Sequence, residues 1–289
     1  MTALVHVKDT PDTTGAVLEA VYQLDGSRVL TSPHAAGPWS TTTQHGAAPA
    51  GLIAWAVDQI EAAQPMQVAR LTIDLLRPVP LAPLSIVTDI VREGRKIQVS
   101  TVRLMAEGVE VARASALRVR IEPMALPDAN MEEPLGLPGP EAGVDPGHVG
   151  ALASPFLSGV AMRHVKGDFR TPGAAAVWYR VDRPLIASAA ISPLMRAAIT
   201  SDFSNGTSAV LDPTSWTFIN GDLTVSLARQ PIGDWILLDA LSWIGPAGAG
   251  IASARLGDTR GWFGRAVQSL VIERRDGSRS DQTRTRHVR

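Results

Sequence analysis

The feature that most constrains this chain is an internal repeat with a spacing of 152 residues. Identical residues recur at that spacing without a gap, in the pairs Leu71/Leu223, Thr72/Thr224, Leu75/Leu227, Arg77/Arg229, Arg103/Arg255, Leu104/Leu256, Arg113/Arg265 and Ala114/Ala266. Turn signals match as well, because Glu107-Gly108 lies opposite Thr259-Arg260-Gly261. The repeat predicts an internal duplication with two structurally equivalent copies.

Hydrophobic periodicity predicts the same elements in both copies. In the first copy we expect a hairpin over 15–31 with its turn at Asp25-Gly26, a helix from Pro49 to Ala63, and strands near 68–76, 84–92, 96–106 and 109–121. In the second we expect strands near 161–169 and 174–183, a helix from Pro193 to Asp202, and strands near 218–229, 234–244, 249–257 and 262–274. A helix held by a strongly curved antiparallel sheet is the hotdog arrangement, so the prediction is an α+β double hotdog.

The predicted boundaries follow changes in composition. The first hotdog covers 1–121 and the second 161–274, joined by a connector over 122–160 that is rich in proline and glycine. We expect this connector to pack along the surface. The remaining residues, 275–289, are charged and unpatterned, and we expect them to be disordered.

Composition excludes several classes of function. The net charge of −1 gives no electrostatic case for nucleic acid as a partner, and the absence of cysteine excludes disulfides and thiolate metal sites. The six histidines lack metal-ligand spacing, so we expect no metal and no cofactor. The sequence has no secretory signal and no run of 18 apolar residues, which predicts a soluble cytoplasmic protein without a membrane span.

Polar residues cluster at the start of an apolar-alternating strand in the stretch from Phe218 to Trp235. Asn220, Asp222 and Thr224 are costly to bury there unless something satisfies or uses them. We therefore expect this strand to lie in the functional site.

Several motifs resemble the acyl-CoA thioesterase II-like (TesB-like) family. In the first half these are GPW at 37–39, QHGAAPAGLIAWA at 44–56, LLRPVP and REGRKIQ, and in the second FINGDLTVSLARQPIGDW and GRAVQSL. The resemblance spans residues 15–274 apart from the connector. It implies a double-hotdog enzyme that hydrolyses acyl-CoA thioesters to free acid and CoA.

The resemblance also implies a catalytic group. An Asp at the end of the second helix matches Asp202, and a Gln on the last strand matches Gln268. The family's Thr position falls on Asn220, so either Asn220 supplies the hydrogen-bond donor or Thr224 fills the role. Gly46 permits close approach of substrate to a helix start, and His45 is a candidate substrate contact, although a lone loop histidine is commonly structural. Asp58, on the first helix, is expected to be a solvated surface residue.

Two alternative functions remain open at this point. A hotdog hydratase or dehydratase usually relies on a His with an Asp in a motif such as DxNPxH, which this sequence lacks. A non-catalytic acyl-thioester binder would keep the fold with an incomplete catalytic group, as the Asn220 substitution suggests. Open sheet edges and surplus apolar side chains predict a homodimer.

Overall fold

The computed structural model describes residues 2–4, 20–125, 134–147 and 149–275. One 14-stranded antiparallel sheet dominates it, with the path β2-β3-β5-β6-β7-β4-β11-β14-β13-β12-β9-β8, while β1 pairs with β5 and β10 with β14. The strands are β1 Thr2–Leu4, β2 Tyr22–Asp25, β3 Arg28–Thr31, β4 Met66–Leu75, β5 Leu84–Glu93, β6 Ile97–Ala106, β7 Val109–Arg120, β8 Val160–Lys166, β9 Ala175–Val181, β10 Trp216–Asn220, β11 Asp222–Leu227, β12 Trp235–Ile244, β13 Ala249–Asp258 and β14 Gly261–Arg274.

The two halves of the sheet join at the repeat itself. Strands β4 and β11 pair antiparallel, with Thr72 directly opposite Thr224, Leu71 opposite Val225 and Ile73 opposite Leu223. Thr72 therefore lies directly opposite its own equivalent in the repeat, Thr224, and the residues on either side pair symmetrically about them. This register places a local two-fold axis between Thr72 and Thr224. The sheet is continuous and antiparallel across the two halves, as the repeat predicted.

Two helices pack against this sheet and against each other, α1 (Ala47–Asp58) and α2 (Pro193–Asp202), and a short helix α3 (Ser204–Thr207) follows α2. Helix α1 is built from small and apolar residues and is buried from Ala47 to Val57. Helix α2 begins where the Ser192 hydroxyl accepts the N–H of Met195 and Pro193 occupies the first turn. The helices pack closely, because a Cβ at Gly51 would lie 2.8 Å from Ile199 Cγ1.

Three predicted elements differ from the structure. Helix α1 ends at Asp58 rather than Ala63, and the first hairpin is shorter, with Gly26 and Ser27 in the turn and part of its predicted first strand outside the described residues. The strand predicted over 218–229 is two strands, β10 and β11, that break at Gly221. There the Asp222 carboxylate, rather than the main chain, accepts the Ser269 N–H at 2.5 Å.

The connector does more than follow the surface. Its residues Leu135 and Leu137 pack on the outer face of the sheet around Trp178, whose indole N–H donates to Pro138 O at 2.9 Å. Short 3₁₀ turns at Gly150–Leu152 and Leu157–Gly159 then lead into β8. Of the predicted tail only Arg275 lies within the described residues. None of the helices in the described part of the chain combines the length and hydropathy needed to cross a lipid bilayer.

Candidate active site

A cavity of ≈600 Å³ opens between the two halves and brings together residues far apart in the sequence. The first half contributes the loop before α1 and the segment after β4, while the second half contributes the α2–α3 junction and β10. Lining residues include Trp39, His45, Gly46, Leu75, Arg77, Leu152, Leu157, Met162, Phe169, Tyr179, Asp202, Phe203, Asn205, Ile219 and Asn220. Most of this wall is apolar, and its ionisable groups are few.

Asp202 is a buried carboxylate of the cavity wall and the last residue of α2, whereas the other lining carboxylate, Glu273, is exposed. It is only 3% exposed, yet it lines the cavity. Its Oδ1 accepts a hydrogen bond from Asn220 Nδ2 at 3.0 Å. Asn220 ends β10 at the strand break, and its Nδ2 also lies 3.3 Å from Asp222 O, so the break directs this amide toward α2. Among the described residues, none donates a hydrogen bond to Asp202 Oδ2, which remains an available acceptor.

Gly46 lies against Asp202 at the start of α1. A Cβ at position 46 would stand 2.6 Å from Asp202 Oδ1 and 3.0 Å from Oδ2, closer than any real contact allows. Glycine is therefore required for the carboxylate to approach the helix N-terminus, where unpaired main-chain N–H groups favour negative charge. No described residue accepts a hydrogen bond from the Gly46 N–H.

His45 also contacts Asp202, with 3.2 Å between its Nδ1 and Asp202 Oδ2. The same Nδ1 accepts the N–H of Ala47 at 3.1 Å. The imidazole stacks on Phe156 with ring centroids 5.2 Å apart, and Phe203 meets it edge-on at 5.5 Å. Its ring is therefore held in one orientation at the cavity wall.

Gln268 lies next to Asp202 but binds the main chain, not the carboxylate. Its Nε2 donates to Asp202 O at 3.1 Å, and its Oε1 accepts the Asn205 N–H at 3.1 Å. The side chain is fully buried and does not line the cavity. A role for Gln268 in fixing the carboxylate or a water does not fit this geometry. Both ends of its side-chain amide instead hold the turn between α2 and α3.

Thr224 is not part of this cluster. Its hydroxyl donates to the Thr72 hydroxyl at 3.2 Å, on the local two-fold axis, and it does not line the cavity. Of the two alternatives left open by the sequence, only Asn220 contacts Asp202.

Sequence reasoning missed four residues at or next to the site. Asn205 ties the α2–α3 junction to β10, because its Nδ2 donates to Phe218 O at 2.9 Å. Tyr179 and Thr207 share a hydroxyl hydrogen bond of 2.7 Å in the apolar wall, where burial raises the Tyr179 pKa far above its ordinary value. Phe156 belongs to the connector, whose composition gave no signal of a contact with His45.

Comparisons with known proteins agree with this architecture. A family model for the acyl-CoA thioesterase N-terminal domain matches residues 35–119, and one for the acyl-CoA thioesterase C-terminal domain matches residues 130–272. No match was found among curated protein sequences.

Solved structures resemble the chain over most of its length. The acyl-CoA thioesterase II TesB2 from Mycobacterium marinum is 17% identical with a TM-score of 0.60, covering 80% of this chain and 91% of that chain. The tesB protein from Mycobacterium avium subs paratuberculosis is 15% identical with a TM-score of 0.64, covering 89% and 98%. A protein of unknown function with a hot dog fold from Alicyclobacillus acidocaldarius is 18% identical with a TM-score of 0.67, covering 90% and 99%. At these identities the solved structures show the hotdog fold, and the two family models, which match residues 35–119 and 130–272, show that the chain belongs to the acyl-CoA thioesterase family.

Proposed function

We propose that the protein hydrolyses acyl-CoA thioesters to free acid and CoA, with water activated by Asp202. The observation that carries this proposal is the state of the Asp202 carboxylate. Oδ1 is held by Asn220 at 3.0 Å, no described residue donates a hydrogen bond to Oδ2, and Asp202 lines a mostly apolar cavity. A carboxylate fixed at one oxygen and open at the other is suited to take a proton from a water molecule.

The other groups have separable roles in this proposal. Asn220 orients the carboxylate in place of the family's hydroxyl donor. Gln268 keeps Asp202 at the cavity by binding its carbonyl and the Asn205 N–H. The N–H of Gly46, at the start of α1, is a donor for the oxyanion that forms when water adds to the carbonyl carbon. Gly46 and His45 are thus the proposed substrate-binding residues of the first half.

The apolar part of the cavity suits an acyl chain. Leu152 and Leu157 from the connector line it together with Met162 and Phe169 from the second half. Burial of an acyl chain against these side chains is favourable in proportion to the apolar area removed from water. We propose acyl-CoA as the substrate class.

The finer reading of the fold is also a proposal. We interpret the halves as a double hotdog, with hotdogs over 1–121 and 161–274 and a connector over 122–160. The pairing of β4 with β11 and the similar positions of α1 and α2 support this division.

The experiment is turnover of a chain-length panel of acyl-CoAs, followed by release of free thiol. Asp202→Asn keeps the shape and removes the base, so we expect the rate on the best substrate to fall by about 10²–10⁴-fold. Asp58→Asn is the matched control, because Asp58 ends α1 as Asp202 ends α2 but lies outside the cavity. Equal rates for Asp202→Asn and wild type would remove Asp202 from the mechanism.

Gln268→Ala tests the supporting contact. Because Gln268 positions the α2–α3 turn and does not touch the carboxylate, we expect a loss of at most about 10²–10³-fold. Gln268→Glu keeps an acceptor for the Asn205 N–H but loses the donor to Asp202 O, and it should fall between Gln268→Ala and wild type.

A second candidate is hydration of an enoyl thioester. The contact of 3.2 Å between His45 Nδ1 and Asp202 Oδ2 favours it, because this chemistry uses a His with an Asp. Loss of enoyl absorbance without thiol release would identify the hydratase. A protein that binds the whole panel and consumes none of it would be the non-catalytic binder.

A further inference from the structure

We propose that His45 is a catalytic residue whose Nε2–H binds the thioester carbonyl oxygen and stabilises the oxyanion, and this inference rests on the proposed hydrolysis. The resemblance to the family assigns no such role to this position. The inference comes from the protonation and orientation of the ring at the cavity wall.

First, the hydrogen bonds of His45 determine which of its two ring nitrogens carries the proton. A main-chain N–H can only donate, so the hydrogen bond of 3.1 Å from Ala47 makes Nδ1 an acceptor. A neutral imidazole carries one proton, which therefore resides on Nε2. No described residue accepts that proton, and His45 lines the cavity. The site thus has an unused N–H donor on its wall.

The second step concerns the direction of the ring. Phe156 stacks on one face of the imidazole, with an interplanar angle of 27°, and Phe203 meets it at 81°. Together with the Ala47 N–H, these contacts fix the ring in its plane. Because the N–H donor is already oriented, no reorganisation is needed when negative charge develops on the carbonyl oxygen. This preorganisation is the condition for strong oxyanion stabilisation.

The third step concerns the groups on either side of the substrate. His45 and Gly46 are consecutive residues at the N-terminus of α1, a helix whose positive end favours an anion. Asp202 approaches from the other half of the chain. A carbonyl group in the cavity beside these residues would have donors at its oxygen and a base for the attacking water.

The reaction then balances as follows. The water oxygen bonds to the carbonyl carbon, its proton passes to Asp202 Oδ2, and the C=O electron pair moves to the oxygen held by His45 and Gly46. The oxyanion re-forms the C=O bond, the C–S bond breaks with its electron pair on sulfur, and sulfur takes the proton back from Asp202. The products are an acid and a thiol.

The contact between His45 and Asp202 is one of proximity. Nδ1 and Oδ2 lie 3.2 Å apart, and the single lone pair of Nδ1 already accepts the Ala47 N–H. The imidazole is thus held beside the carboxylate while its Nε2–H stays available.

Three variants separate the donor from the ring. His45→Phe keeps the aromatic stack on Phe156 and removes the donor, His45→Gln offers an amide N–H near the position of Nε2, and His45→Ala removes both. We expect kcat to fall by about 10²–10³-fold for His45→Phe and His45→Ala, with KM changed only a few-fold. His45→Gln should retain clearly more of the wild-type kcat than His45→Phe.

A second readout does not depend on turnover. The ¹⁵N chemical shifts of the folded protein, assigned by comparison with His45→Phe, should show His45 protonated at Nε2 and not at Nδ1 at neutral pH. A proton on Nδ1 would overturn the inference, and so would a His45→Phe enzyme with wild-type kcat. If wild type is active and Asp202→Asn is not, those results overturn only the role of His45. A wild type that releases no thiol from any acyl-CoA overturns the proposed hydrolysis and this role together.

Discussion

At the scale of single residues, the site is organised by how closely a carboxylate can approach a helix start. Asp202 reaches the N-terminus of α1 only because position 46 has no Cβ, and it stays there because Asn220 holds Oδ1. Asp202 and Gln268 were identified only by a family resemblance, whereas Asn220 was also identified by the polar cluster at the start of an apolar-alternating strand. That Gln268 would bind main chain was not predictable, since it depends on the turn between α2 and α3.

Gly46→Ala tests this crowding directly. The added Cβ would stand 2.6 Å from Asp202 Oδ1, so the carboxylate must move away from its place in the cavity. Displacement of a reacting group by about 1 Å can cost about 10²-fold in rate, and we expect kcat to fall by that amount.

Gly245→Ala is the control for Gly46→Ala, because its Cβ would meet the nearest atom at 3.5 Å, an ordinary contact. We expect its activity to equal that of wild type. If Gly46→Ala turned over at the wild-type rate, the close approach of Asp202 would have no part in the chemistry.

At the scale of elements, α1 and α2 both end at an aspartate, but only the end of α2 lies in the candidate active site. Asp58 ends α1 near the start of α2, where it accepts a hydrogen bond from the Ser192 hydroxyl at 2.6 Å and is exposed, as predicted. At the repeat spacing of 152, the positions of Asn220 and Gln268 are occupied in the first half by Val68 and Ala116. The first half therefore has no polar side chains at the positions equivalent to Asn220 and Gln268, the two residues that hold Asp202 in the second half.

A different polar cluster lies just beyond the end of α1. Arg118 Nη2 donates to Ile60 O at 2.8 Å and to Glu61 O at 3.1 Å, while Gln98 Nε2 donates to Glu61 O at 2.9 Å. These side chains satisfy carbonyls just beyond the helix end, which explains why α1 stops at Asp58 and not at Ala63. Periodicity could not find this boundary, because Ile60 continues the apolar pattern of the helix.

The carboxylate of Asp258 links two loops of the second half, and its charge makes the stability of the fold depend on pH. It ends β13, and its carboxylate binds Arg229 at 2.5 and 2.8 Å as well as the N–H groups of Ile232 and Arg260. Burial by itself would raise the pKa of Asp258, but these donors outweigh burial and the pKa is lowered. The carboxylate thus stabilises the fold above its unfolded pKa of about 3.9, and this contribution is lost as pH falls through the lower folded pKa.

Asp258→Asn should therefore lower the free energy of unfolding by about 3 kcal/mol at pH 7, since it leaves the Arg229 charge without its buried partner. The deficit relative to wild type should shrink as the pH is lowered below about 4. Asp182→Asn, in an exposed pair with Arg180, should change stability little at any pH. Urea unfolding at several pH values measures all three proteins, and a deficit independent of pH would contradict the role of the Asp258 charge.

At the scale of the whole molecule, neither half contains the site by itself. His45 and Gly46 come from the first half and Asp202 and Asn220 from the second, and the pairing of β4 with β11 sets their relative position. The repeat spacing predicted two equivalent copies in one continuous antiparallel sheet, but it did not predict which strands join them. The role of the connector in the cavity wall could not be predicted, since proline-rich composition does not specify what the segment packs against.

The last prediction concerns self-association. The outer face of the second half exposes an apolar patch on β12, β13 and β14, formed by Leu241, Trp243, Ile251, Val267 and Val271. At the equivalent positions of Leu241 and Val267 the first half has Asp89 and Ser115, so its outer face carries polar side chains at two of the five positions. Patches of this kind on one face mark interaction surfaces.

We expect a homodimer that covers this patch, with a light-scattering mass about twice the chain mass of 30.6 kDa at micromolar concentration. Trp243→Glu should shift the mass toward the monomer, because a charge buried without a partner opposes association. Val91→Glu, at the equivalent position of the first half, is the control and should leave the mass unchanged. A wild-type mass equal to one chain would contradict the dimer, whereas a dimer unaffected by Trp243→Glu would move the interface to another face, where the edge strands β2 and β8 at the two ends of the sheet offer the next main-chain surface.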